Sequence, residues 1–304
     1  MHIRTTALAS LILVSTACGG GGDSGDAGLA GSDAGSPEDA GESPDTGLPP
    51  EDGGPGDAGA DAGAASITVH IVATGDAFSH ADLLAGQTAR ATFAGVRSLA
   101  LYRSMSDPDP LVIYRASGPD AVVGYVPGDD TTLTTFDADT LEPGTYAFGR
   151  IVQSYARYEV DATLHRRAGS FDGVIESFQV IADGTDVDGA TYDAGHYDVA
   201  FSAPGADATW TGEDALFPDY SATPGAVGVV EGGEWAVYFP IDLEITAAPA
   251  VDSTLTLSVN MHEAFRWSDL LVVGYQLDTF DVTEISFEPI VRFGGNSFDL
   301  TLAP

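Results

Sequence analysis

From Ser66 onward the sequence predicts an all-β fold, an antiparallel two-sheet β-sandwich of immunoglobulin-like or jelly-roll style. Three observations predict it. Apolar residues alternate with polar ones at period 2 over most of that length. Turn-forming pairs rich in Gly, Pro and Asp interrupt the alternation at short intervals. No stretch carries an apolar stripe at helical spacing beyond single turns at 81–84 and 214–217.

The first strand begins at Ser66, where Ile67, Val69 and Ile71 alternate with Thr68 and His70. Tyr158, Val160, Ala162 and Leu164 repeat the pattern against Glu159, Asp161, Thr163 and His165. The clearest strand sets Trp235, Val237, Phe239, Ile241, Leu243 and Ile245 on one face. Pro240 interrupts it and lacks an N–H for the ladder, which predicts an edge or a bulge there. Leu255, Leu257, Val259 and Met261 form the next apolar face, and the short Pro-containing link 247–253 predicts an antiparallel pair of these two strands. Turns are expected at Pro127-Gly128, Pro143-Gly144, Asp183-Gly184, Pro204-Gly205, Pro224-Gly225, Gly232-Gly233 and Gly294-Gly295. Strands with one polar face must bury the other against a second sheet. One domain, 66–304, is preferred to two smaller sandwiches divided near 184–195, because no linker composition recurs after residue 66.

The N-terminal part reads differently. Residues 1–17 place Arg4 before a short apolar run, Ala7 to Val14, and then small residues up to Cys18. Such a run is too short to span a bilayer and reads as an export signal. The stretch resembles the lipobox of bacterial lipoproteins, with Ser15 where that family prefers Leu. The resemblance implies that the Cys18 thiol receives a diacylglyceryl group and that cleavage leaves Cys18 as the new N-terminus. Gly19, in place of an Asp after the Cys, implies the outer membrane as destination. Residues 18–65 form a Gly/Ala/Asp-rich linker with Asp-Ala-Gly at 26–28, 33–35, 57–59 and 61–63. Its composition buries too little apolar surface to offset ordering entropy, so a disordered tether of roughly 40 Å mean span is expected. The C-terminal stretch from Phe265-Arg266-Trp267 through Phe280-Asp281-Val282 to Phe293-Gly294-Gly295-Asn296 is similar to tails of uncharacterised bacterial lipoproteins. That likeness implies a class and no activity.

Composition limits the chemistry. Against 46 acidic residues stand 11 basic ones, all Arg, for a formal net charge of −35. A field of that sign repels phosphate backbones and argues against nucleic acid as a partner. Cys18 is the one cysteine, which excludes an intramolecular disulfide, a Cys-based zinc site and a Cys nucleophile in the folded region.

Several residues stand as candidate sites. Asp183, Asp186 and Asp188 fall in one oxygen-rich loop that could hold Ca²⁺. The EF-hand pattern fails, because with Gly189 as its glycine the first and twelfth positions fall on Gly184 and Gly195. The same loop reads equally as an Asp-rich turn. Asp107, Asp109, Asp129 and Asp130 are weaker versions. His262 and Glu263 begin a zinc-protease motif, but Arg266 stands where its second His is required. The stretch reads as a strand exit with Phe265 and Trp267 packed inward and Arg266 paired with Asp269. It reads alternatively as a ligand site of Trp267, Arg266 and Asp269, the mix of rings and polar groups that binds sugars. His165, His196 and Asp198 are metal-ligand types that no spacing links. No nucleophile elbow, Walker loop or dinucleotide fingerprint occurs.

These features favour a membrane-anchored envelope lipoprotein that displays a non-enzymatic β-sandwich with a binding or structural role, its partner a glycan or an envelope protein. A calcium-dependent carbohydrate-binding module, motivated by the Asp-rich loops with Trp210, Trp235 and Trp267, is the second reading. A hydrolase with an unrecognised site is the third.

Overall fold

The computed structural model describes residues 65–304; Cys18, the leader and the linker to residue 64 lie outside the described residues. The chain enters through β1 (Ser66–Thr74), β2 (Ala85–Gln87), β3 (Ala91–Tyr102), β4 (Leu111–Arg115), β5 (Ala121–Gly124) and β6 (Asp130–Asp137). A single 3₁₀ turn, Ala138–Thr140, precedes the 23-residue β7 (Gly144–Arg166). Then come β8 (Gly169–Val180), β9 (Thr185–Val187), β10 (Ala190–Tyr192), β11 (Tyr197–Ala203), β12 (Ala206–Gly212), β13 (Val227–Glu231) and β14 (Glu234–Ile245). The chain closes with β15 (Ser253–Asn260), β16 (Phe265–Trp267), β17 (Asp281–Thr283), β18 (Ser286–Phe287), β19 (Ile290–Arg292) and β20 (Ser297–Ala303). The turns expected at 81–84 and 214–217 are not helical. Among the described residues no helix is long and apolar enough to cross a membrane.

Two layers face each other. One is a four-stranded sheet in the order β20-β15-β1-β6. The other is a large sheet in the order β12-β11-β8-β7-β14-β13, to which β3 adds on β7, β4 and β5 on β3, and β17 beside the end of β7. Ile67, Val69 and Ile71 share a core with Leu255 and Leu257 beside them, and with Val96, Val237 and Phe239 from the large sheet. A second core lies further along β7, where Val160, Ala162 and Leu164 meet Ile175, Phe201, Phe265, Trp267 and Phe280. The small sheet β19-β16-β2 covers that end. The long strand β7 therefore contributes to both cores.

Local signals explain much of this. Asp188 and Gly189 both have positive φ, 53° and 82°, as a two-residue hairpin turn between β9 and β10 requires. Gly205, with φ 84°, follows Pro204 in the β11–β12 turn. The ladder between β14 and β7 shifts register between Pro240 and Leu243, so the bulge expected at Pro240 is present.

One expectation about pairing is corrected. β14 and β15 are not a hairpin: β15 pairs with β20 and, in parallel, with β1, while β14 pairs with β7 and β13. The link between them instead crosses from one layer to the other. Six or seven residues at about 3.3 Å each reach well beyond the roughly 10 Å between packed sheets. Crossing lets two similar apolar faces meet, whereas a hairpin would set them side by side. The sheets are antiparallel as expected apart from two pairs, since β17 runs parallel to β7 as β1 does to β15. The reverse face of β14 is covered as well: Ala236 and Tyr238 are buried with Val152, and Tyr238 meets Tyr102 edge-on at 5.3 Å.

Candidate functional site

The structure does not bring the three loop aspartates, Asp183, Asp186 and Asp188, together. Asp183 Oδ1 accepts the Ala194 N–H at 3.0 Å. Asp186 Oδ1 accepts the Thr191 hydroxyl at 2.5 Å, and Asp188 pairs with Arg157 at 2.5 Å. Each carboxylate serves a different neighbour: Asp183 precedes β9, Asp186 lies within it, and Asp188 sits in the turn after it with positive φ. Among the described residues these three do not meet closely enough to share an ion.

The proposed Trp267, Arg266 and Asp269 ligand site is corrected likewise. Trp267 is 1% exposed, packs edge-on against Phe280 at 5.5 Å, and has no face open to a ligand. Its Nε1 donates to Asp269 at 3.0 Å. Phe265 and Trp267 do pack inward as a strand exit requires, but Arg266 turns to Asp82 and Glu263, not to Asp269. Trp210 packs edge-on against Phe287, and Trp235 lies tilted against Phe217 at 5.0 Å.

The second histidine missing from the His262-Glu263 stretch is supplied by the fold. His80, His262 and Glu263 bring ligand-type atoms within 4.8 Å of one another. The loop after β1 carries His80 to the turn between β15 and β16, where Asn296 Nδ2 holds the His262 carbonyl at 2.6 Å. Two imidazoles and a carboxylate are a zinc-type donor set rather than a calcium one. The surroundings oppose a cation. Arg292 donates to His80 Nδ1 at 2.9 Å, which leaves the proton on Nε2, directed at the His262 carbonyl at 3.3 Å. Burial and the nearby Arg266 hold the His80 pKa below its ordinary value. Asp82 bridges Arg266 and Arg292, and although burial disfavours its charge, these hydrogen bonds and charges hold its carboxyl below the usual range. The cluster is thus a clasp of matched charges fastening the 75–84 loop. His165 and His196 lie apart: His196 binds Asp198 at 3.1 Å and Glu213 at 3.2 Å.

A different surface offers open chemistry. Odd-numbered residues of β7 point away from the second core, and register carries their row across five strands. One row reads Phe93, Arg157, Phe178, Asp198 and Thr211; the next reads Ala91, Glu159, Glu176, Ala200 and Thr209. Together they line a shallow hollow of about 580 Å³. Arg157 lies over the Phe178 ring at 4.9 Å and is held there by Asp188. Phe93 is 40% exposed. Glu159 and Glu176 stand directly opposite each other and have no ion-pair partner among the described residues. Like charges so placed destabilise a sheet by up to about 1 kcal/mol. The hollow therefore presents acceptors, a guanidinium donor and an open ring side by side. The sequence named Glu159 as a polar strand position, and the cross-strand register that makes it part of a site lies beyond local pattern.

Comparison with known proteins returns no matching family model, no matching curated protein and no matching solved structure.

Proposed function

We propose that this chain is an exported, lipid-anchored protein of the cell envelope whose β domain binds glycan through the open face of β3, β7, β8, β11 and β12. The observation that carries the binding reading is the unpaired Glu159–Glu176 couple beside the Phe93 ring and Arg157. Sugar hydroxyls donate to carboxylates, relieving their mutual repulsion, and an exposed ring matches the apolar face of a pyranose. Binding on this face needs no calcium. The anchoring half of the proposal rests on Arg4, the apolar run and Cys18, with the linker to residue 65 as spacer. A pair of acyl chains, each buried CH₂ contributing about 0.8 kcal/mol, holds such a protein on a membrane.

Two experiments test the two halves. Cys18→Ser should shift the protein from the membrane fraction to the soluble one and abolish labelling by radioactive palmitate. An unlabelled wild type that pellets equally with the mutant would sink the anchor. Calorimetry against solubilised envelope polysaccharide and peptidoglycan fragments tests the face. Glu176→Gln, which removes a charged hydrogen-bond acceptor, and Phe93→Ala, which removes the apolar ring contact, should each weaken binding about tenfold. Unchanged affinity in both variants would remove this face as the site.

A further inference from the structure

At the far end of β7 the chain assembles a second constellation. The β7–β8 hairpin sets His165 directly opposite Ser170, and the Ser170 hydroxyl lies 2.9 Å from His165 Nδ1. β17 runs alongside, pairing Thr283 with His165 and Asp281 with Thr163. Asp281 Oδ1 lies 2.6 Å from His165 Nε2. The Asp281 carboxylate is wholly buried, and its second oxygen accepts the Gln276 N–H at 2.8 Å. Both oxygens thus act as acceptors, so the imidazole proton sits on Nε2 and the Nδ1 lone pair faces the serine. The Tyr275 ring stacks on the imidazole at 4.8 Å and restricts its rotation.

We propose that Ser170, His165 and Asp281 form a nucleophile, base and positioning group for hydrolysis of esters with aliphatic acyl chains. Ser170 is exposed on the hairpin, as a nucleophile must be, while Asp281 is not. A hollow of about 690 Å³, lined by Asp161, Thr163, Asp172 and Gln276, begins two residues further along the same pair of strands. The choice of acyl chain comes from the adjoining loop. Leu271 is 93% exposed and Val273 fully so, in the same segment that places Tyr275 on His165, and Ile285 projects from the β17–β18 turn. The loop is held in place although its tip is apolar: Glu288 accepts the Leu270 N–H at 2.6 Å and Asp269 the Asp278 N–H at 3.1 Å. Aliphatic side chains held in water on the segment that stacks on the base fit an alkyl chain.

In the first step Ser170 Oγ bonds to the ester carbonyl carbon while its proton passes to His165 Nδ1. The carbon–oxygen bond to the alcohol then breaks, and the alcohol takes that proton, leaving acyl-Ser170. Water attacks the acyl carbon and gives a proton to Nδ1. The bond to Oγ breaks, Oγ recovers the proton, and the carboxylic acid departs. Asp281 steadies the imidazolium in both halves without itself transferring a proton.

The test uses the full chain with p-nitrophenyl octanoate and p-nitrophenyl acetate as substrates, and a fluorophosphonate as covalent probe. Wild type should turn over the octanoate ester and form a phosphonyl adduct mapped to Ser170 by peptide mass spectrometry. Ser170→Ala, which removes an exposed hydroxyl, should lower the rate about 10²- to 10⁴-fold and abolish the adduct. Leu271→Asp should raise KM for the octanoate ester and leave that for acetate unchanged. A folded wild type that takes no adduct at Ser170, or a Ser170→Ala rate equal to wild type, would overturn the relay. Equal KM for both esters in wild type and Leu271→Asp would overturn the acyl-chain assignment. Glycan binding in Ser170→Ala separates this outcome from that of the open face.

Discussion

His80 accepts from Arg292 and lies among cationic groups in a partly buried clasp, so it is held neutral; His196, flanked by Glu213 and Asp198, is drawn the other way. Burial disfavours the charged form of both. At His80 burial is joined by Arg266, and the pKa falls below 6.5. At His196 the two carboxylates outweigh burial, and the pKa rises above it. The signs then separate. His80 contributes stability that is fully present above its unfolded pKa and is lost as pH falls below about 6.5, because the unfolded state binds more protons there. His196 contributes stability that is present below its unfolded pKa and is lost as pH rises through its folded one. A His80→Gln variant, which can still accept from Arg292, should therefore lose less melting temperature than wild type between pH 7 and pH 5. Identical slopes would show that the clasp does not sense protons. Arg266 is the clasp's buried cation, 4% exposed, and its Nη2 binds both Asp82 and the Leu84 carbonyl at 2.7 Å. Arg266→Met leaves Asp82 to Arg292 alone and should cost on the order of 3 kcal/mol in urea unfolding. A midpoint unchanged from wild type would mean that solvent compensates Asp82.

Among the elements, β14 shows what period-2 reading can and cannot deliver. Val237, Phe239, Leu243 and Ile245 are buried as the alternation requires, and Pro240 bends the ladder where its missing N–H predicts. The partner of the strand was not legible. A short Pro-containing link looks the same whether the chain folds back in one sheet or crosses to the facing one, since the two differ only in where distant strands lie. Sites fail for the same reason. His262 and Glu263 are visible as a half-motif, but His80 reaches them from 182 residues away. Ser170 and His165 are five apart, yet Asp281 joins them across 116 residues. Turn chemistry, being local, read well: Asp188-Gly189 is the hairpin turn that its residue types suit. Close approach between strands gives one further test. A Cβ at Gly149 on β7 would clash with the edge of the Phe239 ring, which is itself wholly buried and stacked on Phe298 at 4.5 Å. Gly149→Ala should therefore destabilise by about 1–3 kcal/mol, against the small gain expected where a glycine has room. Chemical denaturation would read the difference, and a neutral result would show that the Phe239–Phe298 pair can slide.

On the scale of the whole molecule, one strand ties the two cores together: β7 lines the first with Tyr146 and Ile151 and the second with Val160 and Leu164. Neither core keeps its wall if β7 leaves, so thermal unfolding should be a single transition by fluorescence and far-UV circular dichroism alike. Two resolved transitions would mean that the cores melt independently. The all-β class and its two-layer arrangement were legible because one-sided strands have few ways to bury themselves; the shared through-strand was not, because its length marks no boundary in the sequence. The described chain begins beside β1, which is no edge strand. Ser66 is gripped by Asp252 through both its N–H and its hydroxyl, and β1 is paired along its length with β15 on one side and β6 on the other. A pull applied at Ser66 along that strand would load two ladders in shear and have to break many hydrogen bonds at once. A domain held at such a point would stay folded under drag that would unzip one held by an edge.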